Sequence, residues 1–148
     1  MATSTQLPGL TSGIAPIAGS IGEQLISSVA IGSLVSLTDA TAANLTSLSL
    51  TAGVWDVTMI GIYGFTVPTA GQYFIASISP TSATLSSNDG NSRVSANVNT
   101  GWIVSQALVL PAVRVTLSAT TTYYAVAFAS FAAGTANIYG RLSAVRVG

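Results

Sequence analysis

Polar and apolar residues alternate along most of the chain, most clearly between positions 45 and 65. One face of a predicted strand at 54–65 carries Trp55, Val57, Met59, Tyr63 and Phe65, because residues of one parity share a face of an extended strand. The other face carries Val54, Ile60 and Ile62. A strand that is apolar on both faces must be covered on both sides. We therefore expect one face in a sandwich core and the other against a second layer or another copy of the chain.

Short strands are predicted across the rest of the chain, separated by turns rich in Gly, Pro, Asn and Asp. They cover 24–30, 33–37, 46–50, 54–65, 73–79, 93–98, 102–110, 113–117, 122–131 and 136–147. Pro111 is expected to end the strand before it, and 122–131 is a second strand that is apolar on both faces. This spacing is typical of a sandwich or jelly roll. The sequence therefore predicts an all-β protein, an antiparallel β-sandwich without helices of appreciable length.

The first 21 residues are expected to form an extended arm, followed by a β-sandwich domain at 22–148. Apolar residues recur in the arm with helical spacing, but prolines and glycines oppose a stable helix. The residues proposed to anchor the arm on a partner are Leu7, Pro8, Leu10, Ile14, Pro16 and Ile17. The alternative is an unanchored terminus, which is the usual state of chain ends. The anchor is favoured because disordered tails are usually more polar than this segment.

The uncharged start of the chain matches neither a signal peptide nor a membrane span. It has no basic residue, and prolines and glycines interrupt its apolar stretches. The chain has no Lys, and its four arginines are dispersed, so nothing attracts nucleic acid or an anionic membrane. We expect synthesis in a cytoplasm, no nucleic-acid or membrane partner, and release as part of a particle.

Charged residues make up only 5% of the chain, against about 25% in ordinary soluble domains. They are Arg93, Arg114, Arg141, Arg146, Glu23, Asp39, Asp56 and Asp89. A monomer of this size normally covers its surface with charge, whereas large obligate interfaces are depleted in it. The composition therefore predicts a homo-oligomer.

The sequence lacks several of the residue types that most often act in catalysis. Without His, Cys or Lys, catalysis by these residue types is excluded, and the four carboxylates, which are the remaining metal ligands, are dispersed along the sequence. A glycosidase needs only two carboxylates. The number of carboxylates alone therefore does not exclude a glycosidase that uses Asp56 with Asp39 or Asp89. However, Asp56 lies between Trp55 and Val57 in a strand, and the other two lie in turns where Asp is common. We expect no enzyme, no cofactor and no metal.

Ligand binding has a few candidates, each with a structural explanation beside it. Trp55 and Trp102 are possible sugar-stacking residues, although aromatic residues in alternating strands are more often core. Arg114 and Arg141 are possible carboxylate ligands, although strand arginines more often form solvated pairs or interface bonds. The polar loop 80–91 is the candidate for exposed contact, because binding residues concentrate in such loops. Its named candidates are Thr84, Asn88, Asp89 and Asn91.

Three predictions concern packing. The predicted structural core consists of Leu48, Leu50, Trp55, Val57, Met59, Val115, Leu117 and Phe128. Asp56 is the only charged residue in the two strands that are apolar on both faces, and we expect it to pair with Arg114 or Arg141, or to lie at a rim. Arg141 and Arg146 have opposite parity in the last strand, so they are expected on opposite faces.

Three segments together resemble a group of small tailed-bacteriophage proteins. They are LSLTAGVWDVTMIGIYGF (48–65), LSATTTYYAVAFASF (117–131) and YGRLSAVRVG (139–148). They contain the patterns L-T-A-G-x-W-D-V and L-S-x-T-T-T-x-Y-x-V-A and an Arg-bearing final strand, and the resemblance covers most of 20–148. A looser resemblance is to the trimeric jelly rolls of the C1q and tumour-necrosis-factor kind, whose F-x5-G-x-Y step looks like FTVPTAGQYF (65–74).

The resemblance implies a virion structural protein, a homotrimeric jelly roll on the particle exterior, and brings no catalytic residues with it. The first hypothesis is a head decoration (cement) or head-fibre protein bound to the capsid or another virion protein through the arm. It would assemble in the host bacterial cytoplasm and reside in the virion. The alternative is a tail-fibre tip, a receptor-binding module that contacts the host surface. The chain length favours the first, because it leaves no room for a long fibre shaft.

Overall fold

The computed structural model describes residues 16–65, 72–87, 92–98 and 105–148. Within these ranges the chain forms nine strands and one 3-10 turn at Ile31–Ser33. The strands are β1 (Gln24–Val29), β2 (Val35–Leu37), β3 (Ala43–Leu50), β4 (Gly53–Phe65), β5 (Gln72–Ser79), β6 (Arg93–Val98), β7 (Ser105–Leu117), β8 (Thr121–Ser130) and β9 (Ala136–Arg146). The same ranges contain no helix long and apolar enough to cross a membrane.

The strands form two antiparallel sheets. The first sheet has the order β1-β9-β4-β7, with β2 also paired to β9, and the second has the order β3-β8-β5-β6. From β2 to β9 the chain crosses repeatedly between the sheets, and each sheet therefore mixes strands from distant parts of the sequence. This interleaved order is that of a jelly roll. The prediction of an all-β, antiparallel jelly-roll sandwich is confirmed.

The core lies between the two sheets, and the two strands that are apolar on both faces occupy interior positions in them, β4 in the first sheet and β8 in the second. Trp55, Val57, Met59 and Tyr63 on β4 are fully buried. Ala125, Ala127 and Ala129 on β8 are fully buried in the same cluster. The large side chains of one sheet thus complement the small ones of the other, as close packing requires. Each strand contributes one face to the core, as the alternation predicts.

Several predicted boundaries are off by a few residues, as where β2 begins at Val35 and β3 at Ala43, and the largest error is at Pro111. Pro111 does not end a strand, because β7 continues through it to Leu117. The register against β4 shifts between Val57 and Met59, whose partners are Val113 and Leu110, and this leaves Pro111 inside a bulge. β7 is the last strand in the order of its sheet. Proline is tolerated at a bulge on an edge strand because no neighbour there requires its missing N–H.

Candidate interaction surfaces

The outer face of the first sheet is apolar across three of its strands. Odd-numbered residues of β4 point into the core, so its even-numbered residues face outward. Cross-strand pairing aligns Ser28, Arg141, Ile60 and Val109 in one row. The next row contains Tyr139, Ile62 and Ala107. Since Val109 is 59% exposed, this outer face presents apolar area to solvent rather than burying it in the sandwich.

An ion pair lies at one end of this outer face. Arg114 donates from Nε to Asp56 Oδ1 and from Nη2 to Asp56 Oδ2, each at 2.8 Å. These hydrogen bonds hold the pKa of the Asp56 carboxyl below its usual value and raise the pKa of Arg114. Both side chains stay in contact with solvent, so the pair orients its partners more than it stabilises the fold. The expectation that Asp56 pairs with Arg114 or Arg141 is confirmed, with Arg114 as the partner.

A second charged cluster is buried where residues 16–23 join the sandwich. Arg146 is 6% exposed, and its Nε donates to Glu23 Oε2 at 3.1 Å. Its Nη1 donates to the Ala52 carbonyl at 2.7 Å, and its guanidinium carbon lies 4.5 Å from the centre of the Trp55 ring. Glu23 Oε2 also accepts from the Gly19 N–H at 2.7 Å. The cluster therefore fixes the segment that precedes β1 to the end of β9.

Sequence reasoning missed this cluster. It placed Arg146 on the opposite face from Arg141, which implies that one of the two points into the core, but it named no partner for the buried one. The signal was available, because Glu23 is the only Glu in the chain and directly precedes the first strand. A buried guanidinium requires a carboxylate, and Glu23 is the one that the topology brings to it.

Exposed large apolar side chains are concentrated near the start of the described chain. Among the described residues they are Ile17, Ile21, Ile26, Ile31, Leu34 and Val109. Five of these six fall within residues 17–34. The signal in the sequence was parity, because Ile26 occupies a position of β1 whose same-face neighbours are Gln24 and Ser28. Exposed apolar residues that cluster in this way mark interaction sites.

The loop after β5 folds back onto the outer face of the second sheet. The Ser86 N–H donates to Ser77 Oγ at 2.8 Å, and Ser77 Oγ donates to the Ser92 carbonyl at 3.1 Å. Asn44 on β3 holds the other side of the loop, donating to Ser82 Oγ and accepting from the Ala83 N–H, each at 2.7 Å. The described part of this loop is thus held by specific hydrogen bonds while 80–84 stays exposed.

The predicted arm and loop residues are only partly within the described ranges. Leu7, Pro8, Leu10 and Ile14 of the arm and Asn88, Asp89 and Asn91 of the loop lie outside them, as does Trp102. Pro16 is partly buried, Ile17 is 80% exposed, and Thr84 is exposed. The arm residues that the structure describes lead directly into the segment held by Glu23.

The predicted core residues differ in burial. Leu50, Trp55, Val57 and Met59 are fully buried. Leu48, Val115 and Leu117 are partly buried and pack against the central cluster. Phe128 lies on the outer face of the second sheet, where it is half-buried and packs edge-on against Tyr73 with ring centres 6.3 Å apart.

The described carboxylates of the chain have structural partners and are not grouped as a metal site requires. In the described ranges, no group of three or more His, Cys, Asp or Glu side chains lies close enough to hold a metal ion. Asp56 accepts hydrogen bonds from Arg114, and Asp39 Oδ1 accepts one from the Phe131 N–H at 2.7 Å. Asp89 lies outside the described residues. Of the three carboxylates considered for a glycosidase, the two that the structure describes, Asp56 and Asp39, therefore have structural partners.

No family model matches the chain, and no curated protein matches its sequence. Its fold is similar to solved viral structures. A chain from the structure of infectious bursal disease virus, Gx strain, is 12% identical with a TM-score of 0.53, and the match covers 97% of this chain and 38% of the viral one. A chain of the infectious bursal disease virus VP2 subviral particle is 10% identical with a TM-score of 0.46, covering 97% and 38%. This chain thus spans well under half the length of these viral chains, and the likeness to the first of them concerns the fold alone.

Proposed function

We propose that this chain is a structural protein of a virus particle, namely an exterior head decoration (cement) or head-fibre protein of a tailed bacteriophage. The observation that carries the proposal is the jelly-roll sandwich, whose fold is similar to that of a chain of infectious bursal disease virus over 97% of this sequence. The bacteriophage assignment is supported by the segments at 48–65, 117–131 and 139–148. A charged fraction of 5% suits a chain with much of its surface in contacts between proteins.

The proposed attachment to the particle is the N-terminal arm, residues 1–21. Support comes from its described end, where Ile17 and Ile21 are 80% and 59% exposed. Exposed isoleucines gain free energy when a partner removes them from water. The buried Glu23–Arg146 pair holds the chain directly after them, so the arm leaves the sandwich from a fixed point.

The proposed assembly is a homotrimer. The sequence resemblance supports three copies, and the charge depletion supports a homo-oligomer without fixing the number of copies. Light scattering on the purified chain should give three times the chain mass of 14.9 kDa. A single species at 14.9 kDa across micromolar concentrations would overturn the oligomer.

The test of the attachment removes residues 2–15, which leaves the Glu23 cluster intact. Particles produced with this variant should carry few or no copies of the chain, while the purified variant keeps the wild-type far-ultraviolet circular dichroism spectrum and mass. A second variant, Ile17→Ser with Ile21→Ser, should weaken decoration in the same direction. Thr84→Ala is the matched control at an exposed position outside the arm and should decorate normally. A folded deletion variant that decorates heads like the wild type would contradict the arm as anchor.

The second candidate is a tail-fibre tip or receptor-binding module that contacts the host cell surface. The hydrogen bonds of Asn44 and Ser77 favour it, because they hold an exposed loop in a defined shape on a rigid sheet. An antibody against residues 80–91 should then block adsorption to host cells. Normal adsorption in the presence of saturating antibody would argue against this candidate.

A further inference from the structure

Arg141 is a cation without a counter-ion in an apolar setting. It lies on the outer face of the first sheet, with Ser28 and Ile60 as its cross-strand neighbours. It is exposed, and its side chain has no hydrogen bond or ion pair with any residue in the described ranges. The carboxylate nearest to it in register, Asp56, is already held through both oxygens by Arg114. The outer face therefore combines apolar area with one net positive charge.

A second surface carries the opposite charge. Asp39 follows β2, is exposed, and has no cationic partner among the residues that the structure describes. Its Oδ1 accepts from the Phe131 N–H at 2.7 Å, which fixes the carboxylate at the end of β8. On the other side of β2 in the sequence, Ile31 and Leu34 are 67% and 44% exposed. We call Ile31, Leu34 and Asp39 the edge surface.

The outer face and the edge surface complement each other in charge and polarity. We propose that the outer face of one copy docks the edge surface of the next copy, with Arg141 against Asp39 and Ile60 and Val109 against Ile31 and Leu34. The proposal rests on the homo-oligomer of the proposed function and names its contact. Apolar groups in the contact would exclude water from the ion pair, which strengthens the electrostatic attraction and selects the partner surface.

The charges also disfavour one arrangement of the contact. If two outer faces met at their Arg141 side chains, the interface would contain two unpaired guanidinium groups and no free carboxylate, because Asp56 is already paired with Arg114. Like charges brought together in this way disfavour an association. A contact between Arg141 of one copy and Asp39 of another avoids the repulsion. It can repeat from copy to copy around a ring such as a trimer, or occur twice across a two-fold axis.

The test is a charge swap in the full chain, read by light scattering and by sedimentation velocity at several concentrations. Arg141→Asp and Asp39→Arg should each raise the dissociation constant between copies at least about tenfold, because each places like charges together. The double variant should regain most of the affinity, because it restores the attraction with reversed signs. Thermal unfolding of each variant checks that the monomer fold is intact, and Asp39→Asn, which can still accept from the Phe131 N–H, provides a milder alternative to Asp39→Arg.

The matched control is Arg114→Asn with Asp56→Asn. It removes a charge pair from the same outer face that is already satisfied within one chain, and it should leave the dissociation constant unchanged. Single variants that keep the wild-type assembly, or a double variant that is no better than the singles, would overturn the Arg141–Asp39 contact. A monomeric wild type would overturn it as well. The particle-binding test reads attachment through the arm, so failure of either proposal is seen separately.

Discussion

At the scale of single residues, Arg146 does the most to hold the ends of the sandwich together. Its guanidinium donates hydrogen bonds to the Glu23 carboxylate and the Ala52 carbonyl, and it lies over the Trp55 ring. The planar guanidinium suits this site because its donors diverge in fixed directions and its face stacks on an aromatic ring. The Arg114–Asp56 pair has a shorter N–O distance, 2.8 Å against 3.1 Å, but remains in contact with solvent. Burial, rather than distance, decides which of the two ion pairs matters for stability.

Arg146→Met should lower the free energy of unfolding by about 3 to 5 kcal/mol, because it leaves Glu23 buried without its partner. Arg114→Met is the matched control and should cost much less, since the carboxylate it abandons is solvated. Denaturant unfolding followed by tryptophan fluorescence measures both. Equal losses from the two substitutions would show that the buried cluster has no special role.

Tyr63 is the buried titratable group of the core. Its hydroxyl donates to the Ile75 carbonyl, and burial raises the pKa of the phenol well above its usual value. Because the pKa is raised in the folded state, the related stability is fully present below about pH 10 and is lost as the pH rises further. Tyr63→Phe should cost about 1 to 2 kcal/mol at pH 7 through the lost hydrogen bond.

Above about pH 10 the Tyr63→Phe variant should lose stability less steeply than the wild type, because it lacks the buried phenol whose ionisation the fold opposes. Unfolding curves recorded between pH 8 and 11 give the comparison. Tyr123→Phe is the comparison: burial also raises the pKa of Tyr123, which is only partly buried, so this substitution should change the slope in the same direction but by less. Identical slopes for the wild type and Tyr63→Phe would contradict the assignment.

At the scale of elements, the contact between β9 and β4 depends on Gly140. Its φ is +145°, and a Cβ built there would lie 2.0 Å from the Ile60 carbonyl oxygen. That oxygen belongs to the backbone of the neighbouring strand and can move only if β4 moves with it. The pairing at the centre of the first sheet therefore requires glycine at this position.

Gly140→Ala should lower the free energy of unfolding by at least about 2 kcal/mol, from backbone strain together with the clash. Gly32→Ala is the control, because a Cβ at Gly32 meets nothing within 4 Å, and it should change stability by no more than about 0.5 kcal/mol. Thermal and denaturant unfolding measure both variants. A Gly140→Ala protein as stable as Gly32→Ala would mean that the two strands are farther apart than described.

At the scale of the whole molecule, the composition controls how stability responds to pH. The chain has no His, Cys or Lys, so between the carboxylates and the tyrosines only the terminal amine titrates. The molecule therefore keeps its charge pattern, including any pairing between copies, across the neutral range. A particle protein with this composition would be insensitive to moderate changes in pH.

The free energy of unfolding should accordingly be flat from about pH 6 to about pH 9. Below about pH 4 it should fall only slightly, because the lowered pKa of Asp56 gives stability that is lost as the pH falls through the folded-state value, and this pair is in contact with solvent. Denaturant titrations at one-unit intervals provide the profile. A transition between pH 6 and 9 would contradict it, because no side chain of this chain is expected to titrate there.

The sequence by itself determined the strands and their faces. Alternation is a local property, so it predicted the core face of β4, the apolar faces of β8 and the separation of Arg141 from Arg146. It also limited the partners of Asp56 to two arginines, of which the register selected Arg114. These features follow from the two-residue period of a strand, which depends on the local backbone and not on which strands lie beside it.

Only the tertiary structure decided which strands are neighbours and what their meeting creates. β1 pairs with β9 from the other end of the chain, and this brings Glu23 to Arg146 across 123 residues. Pro111 stays inside β7 because that strand lies at an edge and can bulge. The outer face with Arg141 and the edge surface with Asp39 likewise exist only once β2, β4 and β9 are aligned. Strand order and register depend on contacts between distant segments, and a local pattern carries no information about them.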